Sequence, residues 1–121
     1  MDKTSEFSKK DIEENKSIAA FGYFGISFVM PLFAASDSDF ARFHANQGAV
    51  LAINELIIIA FIIIADIAAS LFGSMIFKYL MLILIVALFL GMFFYIPYGI
   101  ISAASGKARE LPFIGKMRIF K

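Results

Sequence analysis

At 121 residues the chain has the length of one domain. With 60% hydrophobic residues, a mean hydropathy of +0.82 and a formal net charge of +1, it is too apolar for a water-soluble core of this size and too weakly charged for a nucleic-acid binder. The absence of cysteine excludes disulfides, thiol catalysis and Cys-type metal sites.

Residues 1–16, MDKTSEFSKKDIEENK, form a mixed-charge segment. Ser8 as a cap and Asp11 in the first turn predict a short surface helix there. Residues 17–36 follow without a charge and are long enough to cross about 30 Å of hydrocarbon. Gly22, Gly25 and Pro31 inside this run predict close packing and a local bend. A cleavable signal peptide is the alternative reading, but the charged lead carries more acids than lysines and Pro31 interrupts the apolar stretch.

Asp37, Ser38 and Asp39 offer an N-cap for a helix that starts near Phe40 and runs through FARFHANQG into a second span near residues 46–70. The run LIIIAFIIIA would favour a strand in water; in lipid a lone strand leaves its backbone unpaired, so a helix is predicted. The polar cluster then forms interfacial turns, with Phe40 and Phe43 at headgroup depth and Arg42 reaching toward phosphate. Arg42, Phe43, His44, Asn46 and Gln47 are the candidate interfacial or partner-binding residues.

At 100° per residue, His44, Gln47, Leu51, Glu55, Ile58, Ile62 and Asp66 fall within an arc of about 100°, with Asn54 at its edge. Asn54, Glu55 and Asp66 are therefore candidate intramembrane polar residues, predicted to face protein or a hydrated crevice because an acid facing lipid is costly. Ala65, Ala69 and Gly73 make a small-residue ridge suited to a helix contact. A third span near residues 79–104 contains FFYIPYG, where Pro97 predicts a kink and Tyr95 and Tyr98 supply hydroxyls.

The tail, residues 105–121, interleaves Lys107, Arg109, Lys116, Arg118 and Lys121 with Leu111, Phe113, Ile114, Met117, Ile119 and Phe120. That pattern predicts a segment lying on an anionic membrane surface. The predicted fold is thus an all-α integral membrane protein: a charged N-terminal segment, about three transmembrane helices within residues 17–104, and an interfacial basic-hydrophobic tail. It would be multi-pass in the cell membrane. Basic residues on the two sides nearly balance under three spans, and their density at the C-terminus favours placing that end in the cytoplasm.

FARFHANQ after a first hydrophobic span, with GKARELPFIGK after the last, resembles the small bacterial and archaeal membrane proteins related to the chloroplast import component Tic-twenty. The likeness runs from about Ile18 to Lys116. It implies an all-helical membrane protein without a cofactor and, through the plastid members, a link to protein translocation. The plastid relatives resemble four-span proteins with both ends on one side, whereas three spans are counted here.

Catalysis is not expected. The single histidine, His44, and the acids Glu55 and Asp66 follow one another at eleven-residue steps, about 16 Å apart along a helix, so one metal ion cannot join them. The sequence predicts a scaffold or accessory subunit whose partners are lipid, itself or other membrane proteins, and no nucleic acid. In that reading the FARFHANQ groups are first of all structural. The alternative is an oligomeric permeation or transport component in which the polar stripe lines a vestibule and His44 changes charge near neutral pH.

Overall fold

A computed structural model describes residues 2–119; Phe120 and Lys121 of the expected tail lie outside the described residues. Among these the chain is helical, and the extended backbone makes only an isolated bridge between Asp2 and Arg109. Four α-helices appear in order: α1 (Lys9–Ala20), α2 (Val29–Ala34), α3 (Asp39–Phe72) and α4 (Met75–Ala104).

Helix α1 begins where Ser8 accepts a hydrogen bond from the Asp11 backbone, as its sequence predicts. Beyond Ala20 the expected first span departs from expectation. It is not one helix but the last turn of α1, two short 3-10 turns (Phe21–Tyr23 and Gly25–Phe28) and the six-residue α2. Gly25 takes φ 55, and Gly22 lies so close to α3 that a β-carbon there would meet the His44 carbonyl oxygen at 3.4 Å. Two glycines weaken helix propensity by about 1 kcal/mol each, and the gain from seating the segment against α3 outweighs continuing the helix. Two helices, α3 and α4, are long and apolar enough to cross a membrane, in place of the three expected.

Helix α3 starts at its expected cap, Ser38, whose side chain accepts from the Ala41 backbone. It runs unbroken for 34 residues, roughly 50 Å. It ends at Gly73, in the left-handed conformation at φ 64, and Ser74 caps α4 directly, so α3 and α4 form a tight hairpin. The core gathers at the open end of this hairpin. Ile12, Ala19, Tyr23, Phe40, Phe43, Leu51, Met92, Ala103, Ala108 and Leu111 pack there into one buried cluster.

From residue 53 of α3 to residue 91 of α4 the side chains are mostly bare, and Leu71 and Phe72 are about four-fifths exposed. Residues 53–72 and 75–94 each span about 30 Å of helix. The molecule therefore has two parts: a packed cap and a naked apolar hairpin of bilayer thickness.

Candidate functional site: a polar clamp on the tail

Helix α3 is positioned first by its own start. The Asp11 carboxylate accepts from the Ser38 hydroxyl, from the Asn15 amide at 2.9 Å and from the Phe40 backbone at 3.0 Å. One acid of α1 thus takes up the Phe40 amide directly and holds the Ser38 hydroxyl that accepts from the Ala41 amide at 2.9 Å. Close behind, residues 43–52 are buried all round, because α1, the broken segment and α4 press on three sides and the tail closes the fourth.

Among its described residues the tail has no helix or sheet of its own beyond the bridge to Asp2, so its buried backbone needs partners elsewhere. The FARFHANQG stretch supplies them. Gln47, fully buried, donates from Nε2 to the Gly115 carbonyl at 2.8 Å and accepts at Oε1 from the Leu111 amide at 2.8 Å. Asn46 accepts at Oδ1 from the Ile119 amide at 3.0 Å and donates to the Arg42 carbonyl at 3.2 Å. His44 Nε2 lies 2.9 Å from the Lys107 carbonyl, which also receives the Ser102 hydroxyl at 3.0 Å. Arg42 reaches the Ser36 carbonyl at 3.1 Å.

Aromatic rings seal this clamp. Phe40 and Phe43 meet the His44 ring edge-on at 4.7 and 5.1 Å between centroids, and Phe7 packs on both phenylalanines. Tyr23 drives its ring against Gly99 of α4, where any β-carbon would collide with it, and its hydroxyl lies 2.5 Å from His44 Nδ1. A carbonyl can only accept, so Nε2 carries the proton and Nδ1 accepts the tyrosine hydroxyl. Burial pushes the pKa of the His44 imidazole down to about 4, against the opposing pull of the Lys107 carbonyl, so the ring is neutral near pH 7, where the sequence suggested a change of charge.

Two of the tail's basic residues pair with groups of the chain, while Lys107 and Lys116 stay exposed. Arg118 pairs with the buried Glu110 at 3.0 Å, donates to the Gly115 carbonyl and stands 5.4 Å over the Phe43 ring. Arg109 lies 3.6 Å from Asp2. Tyr95 donates to the Pro112 carbonyl at 2.8 Å, so the hydroxyl expected in apolar surroundings also holds the tail. Phe113 remains fully exposed and Met117 half-exposed, whereas Leu111 is buried.

Below the clamp the predicted stripe breaks up. Asn54 is half-buried and bonds its own helix at the Val50 carbonyl, Glu55 is half-buried, and Asp66 is exposed on the hairpin. Ala65 and Ala69 are buried between the arms, while Gly73 serves the turn rather than the contact. Tyr23, Ser102 and Glu110 escaped the sequence reading, and Asp11 was read only as a first-turn acid of α1, not as a partner of α3. Only Asp11 and Tyr23 carried a usable signal: a carboxylate in a helix's first turn and a hydroxyl beside two glycines.

A family model described as the magnetosome magnetite crystal formation protein family, MamF_MmsF, matches residues 14–119. Both FARFHANQ and GKARELPFIGK lie inside that match, which overturns the Tic-twenty-like resemblance drawn from them and leaves the link to protein translocation without support. No curated protein and no solved structure matches the chain.

Proposed function

The chain belongs to the magnetosome magnetite crystal formation protein family, and from that premise we propose that it is a non-enzymatic subunit of the magnetosome membrane that supports magnetite crystal formation as a scaffold. The single observation that carries the membrane half is the hairpin: two bare apolar arms, each about 30 Å long, rise from a cap whose polar groups are already partnered. In water such a surface would far exceed the apolar patches that monomeric proteins tolerate.

With α3 and α4 as two spans joined at Gly73, the segments before residue 53 and after residue 94 would share one side of the membrane. Of the 11 lysines and arginines, Lys78 alone falls within residues 53–94. The positive-inside rule then puts the cap in the cytoplasm and the turn at Gly73 in the magnetosome lumen. The transport alternative needs a continuous polar path along α3, and His44 and Gln47 are committed to the tail instead, which favours the scaffold.

Deleting the gene in its host and imaging the crystals tests the role. Smaller or misshapen magnetite, restored by the parent gene, is the expected result; unchanged crystals overturn it. Reporter fusions at both ends test the topology. Both should report the cytoplasm, and opposite sides would refute the hairpin.

A further inference from the structure

The tail passes the clamp as a closed loop. Gln47 holds both of its ends, accepting from the Leu111 amide and donating to the Gly115 carbonyl, and the Gly115 amide returns to the Leu111 carbonyl at 2.9 Å. Residues 112–114 are left as its tip. At the apex Phe113 takes φ 69, whereas the other left-handed positions, Gly25, Gly73 and Gly106, are glycines, and the Ile114 amide closes onto the Pro112 carbonyl at 2.8 Å. A three-residue turn of that hand is rare and strained, the more so at a bulky residue. Yet the ring is 99% exposed, so no packing within the chain offsets the strain.

The depth of the tip follows from its two attachments. Gln47 precedes Phe72 by 25 residues, about 38 Å of helix, whereas Tyr95 follows Met75 by 20 residues, about 30 Å. Tyr95 therefore marks the cap-side edge of the bare hairpin. Helical side chains lean toward their own N-terminus, which carries the Gln47 amide away from the Gly73 turn and the Tyr95 hydroxyl toward it. Since that hydroxyl donates to the Pro112 carbonyl at 2.8 Å, the loop hangs from Gln47 toward the bilayer and its tip reaches the bilayer's edge. Phe93 and Phe94 of α4, more than half exposed, stand at the same level.

We propose that Phe113 is an interfacial anchor whose ring enters the boundary between headgroups and acyl chains of the cap-side leaflet, beside α4. Its partner is the lipid surface of the membrane that the hairpin crosses, and the proposal rests on that membrane reading. The contact is apolar rather than ionic. Arg109 and Arg118 are engaged by Asp2 and Glu110, so the tip offers lipid an aromatic ring in place of the basic face that the sequence suggested.

The chain holds no tryptophan, so one introduced by Phe113→Trp reports alone. The full chain is placed as single copies in phosphatidylcholine nanodiscs, whose two faces are both open to water, with bromine on the acyl chains either close to the headgroup or close to the methyl end. Phe113→Trp should emit to the blue of a water-exposed tryptophan, lose most intensity to the shallow bromine and resist iodide. Leu56→Trp, on the bare part of α3, should also be quenched by bromine, and Lys10→Trp, exposed on α1, by iodide alone. Circular dichroism should show every variant helical.

A Phe113→Trp signal quenched by iodide as readily as that of Lys10→Trp, and untouched by bromine, overturns the proposal. Shielding from iodide without quenching by bromine overturns it too, because protein rather than lipid then covers the ring. Leu56→Trp separates the two levels. If bromine fails there as well, the membrane reading falls together with the anchor; if it quenches Leu56→Trp but not Phe113→Trp, the anchor falls alone.

Discussion

The two halves of α3 are one continuous helix under opposite demands. Residues 40–52 are hemmed in by α1, the broken segment, α4 and the tail, and every described polar side chain there finds a protein partner. Residues 53–72 leave most of their isoleucines bare, with Ile58 and Ile62 half-buried. The first half earns its order from specific bonds and close backbone contact; the second relies on a solvent that accepts apolar surface. Tight sites tolerate no added atom, whereas the bare ones tolerate almost any apolar one.

The largest break in that comparison comes from paired glycine substitutions. A β-carbon on Gly48 would strike the Gly22 carbonyl, which is backbone and cannot swing away, while one on Gly91 of α4 meets open space. Gly48→Ala should cost about 3 kcal/mol or more, as overpacking against backbone does. Gly91→Ala should stay within about 1 kcal/mol of the parent, on the stabilising side because alanine favours the helix. Unfolding in detergent measures both. Similar effects at the two positions would dissolve the distinction between cap and hairpin.

Next in size is Gln47→Leu, which keeps the volume and removes both bonds to the tail. The Leu111 amide and the Gly115 carbonyl would be left unpaired in a buried site, for a loss of about 2–5 kcal/mol. The tail should loosen before the hairpin does. Hydrogen exchange at the Leu111 amide and tryptic cleavage after Lys107 or Arg109 should accelerate while α4 stays protected. A tail that remains protected would show that the clamp does not hold it.

These contrasts also mark what the sequence made legible. Ser38 as a cap, a helix running through FARFHANQG and the apolar length of both arms all follow from local spacing. The partners of that cluster do not, because Gln47 and Asn46 bind backbone atoms 64 to 73 residues away, and a backbone amide has no sequence signature. The broken first run was hidden for a different reason. Hydropathy scores residues 17–36 as a span, but the contact between Gly22 and Gly48 and the seat for Tyr23 on Gly99 are three-dimensional facts. Helical spacing sets His44 and Asp66 within one arc of α3, but it cannot say that the cap stops between them, leaving His44 buried and Asp66 exposed.

Asn54 stands just beyond that border, and its replacement should have the smallest effect. Its Nδ2 bonds the Val50 carbonyl one turn back at 2.8 Å, a carbonyl that already serves the helix, so no other group depends on it. Asn54→Ala removes donor and acceptor together and installs the better helix former, so stability should shift by less than about 0.5 kcal/mol. A polar path along α3 would make the same position matter far more, since Asn54 bridges the gap between Gln47 and Glu55. Magnetite crystals of parental size in cells carrying Asn54→Ala, with unaltered detergent stability, fit a scaffold whose polar chemistry ends inside the cap. Crystals as defective as those of the deletion strain would instead place function on the stripe and end the scaffold reading.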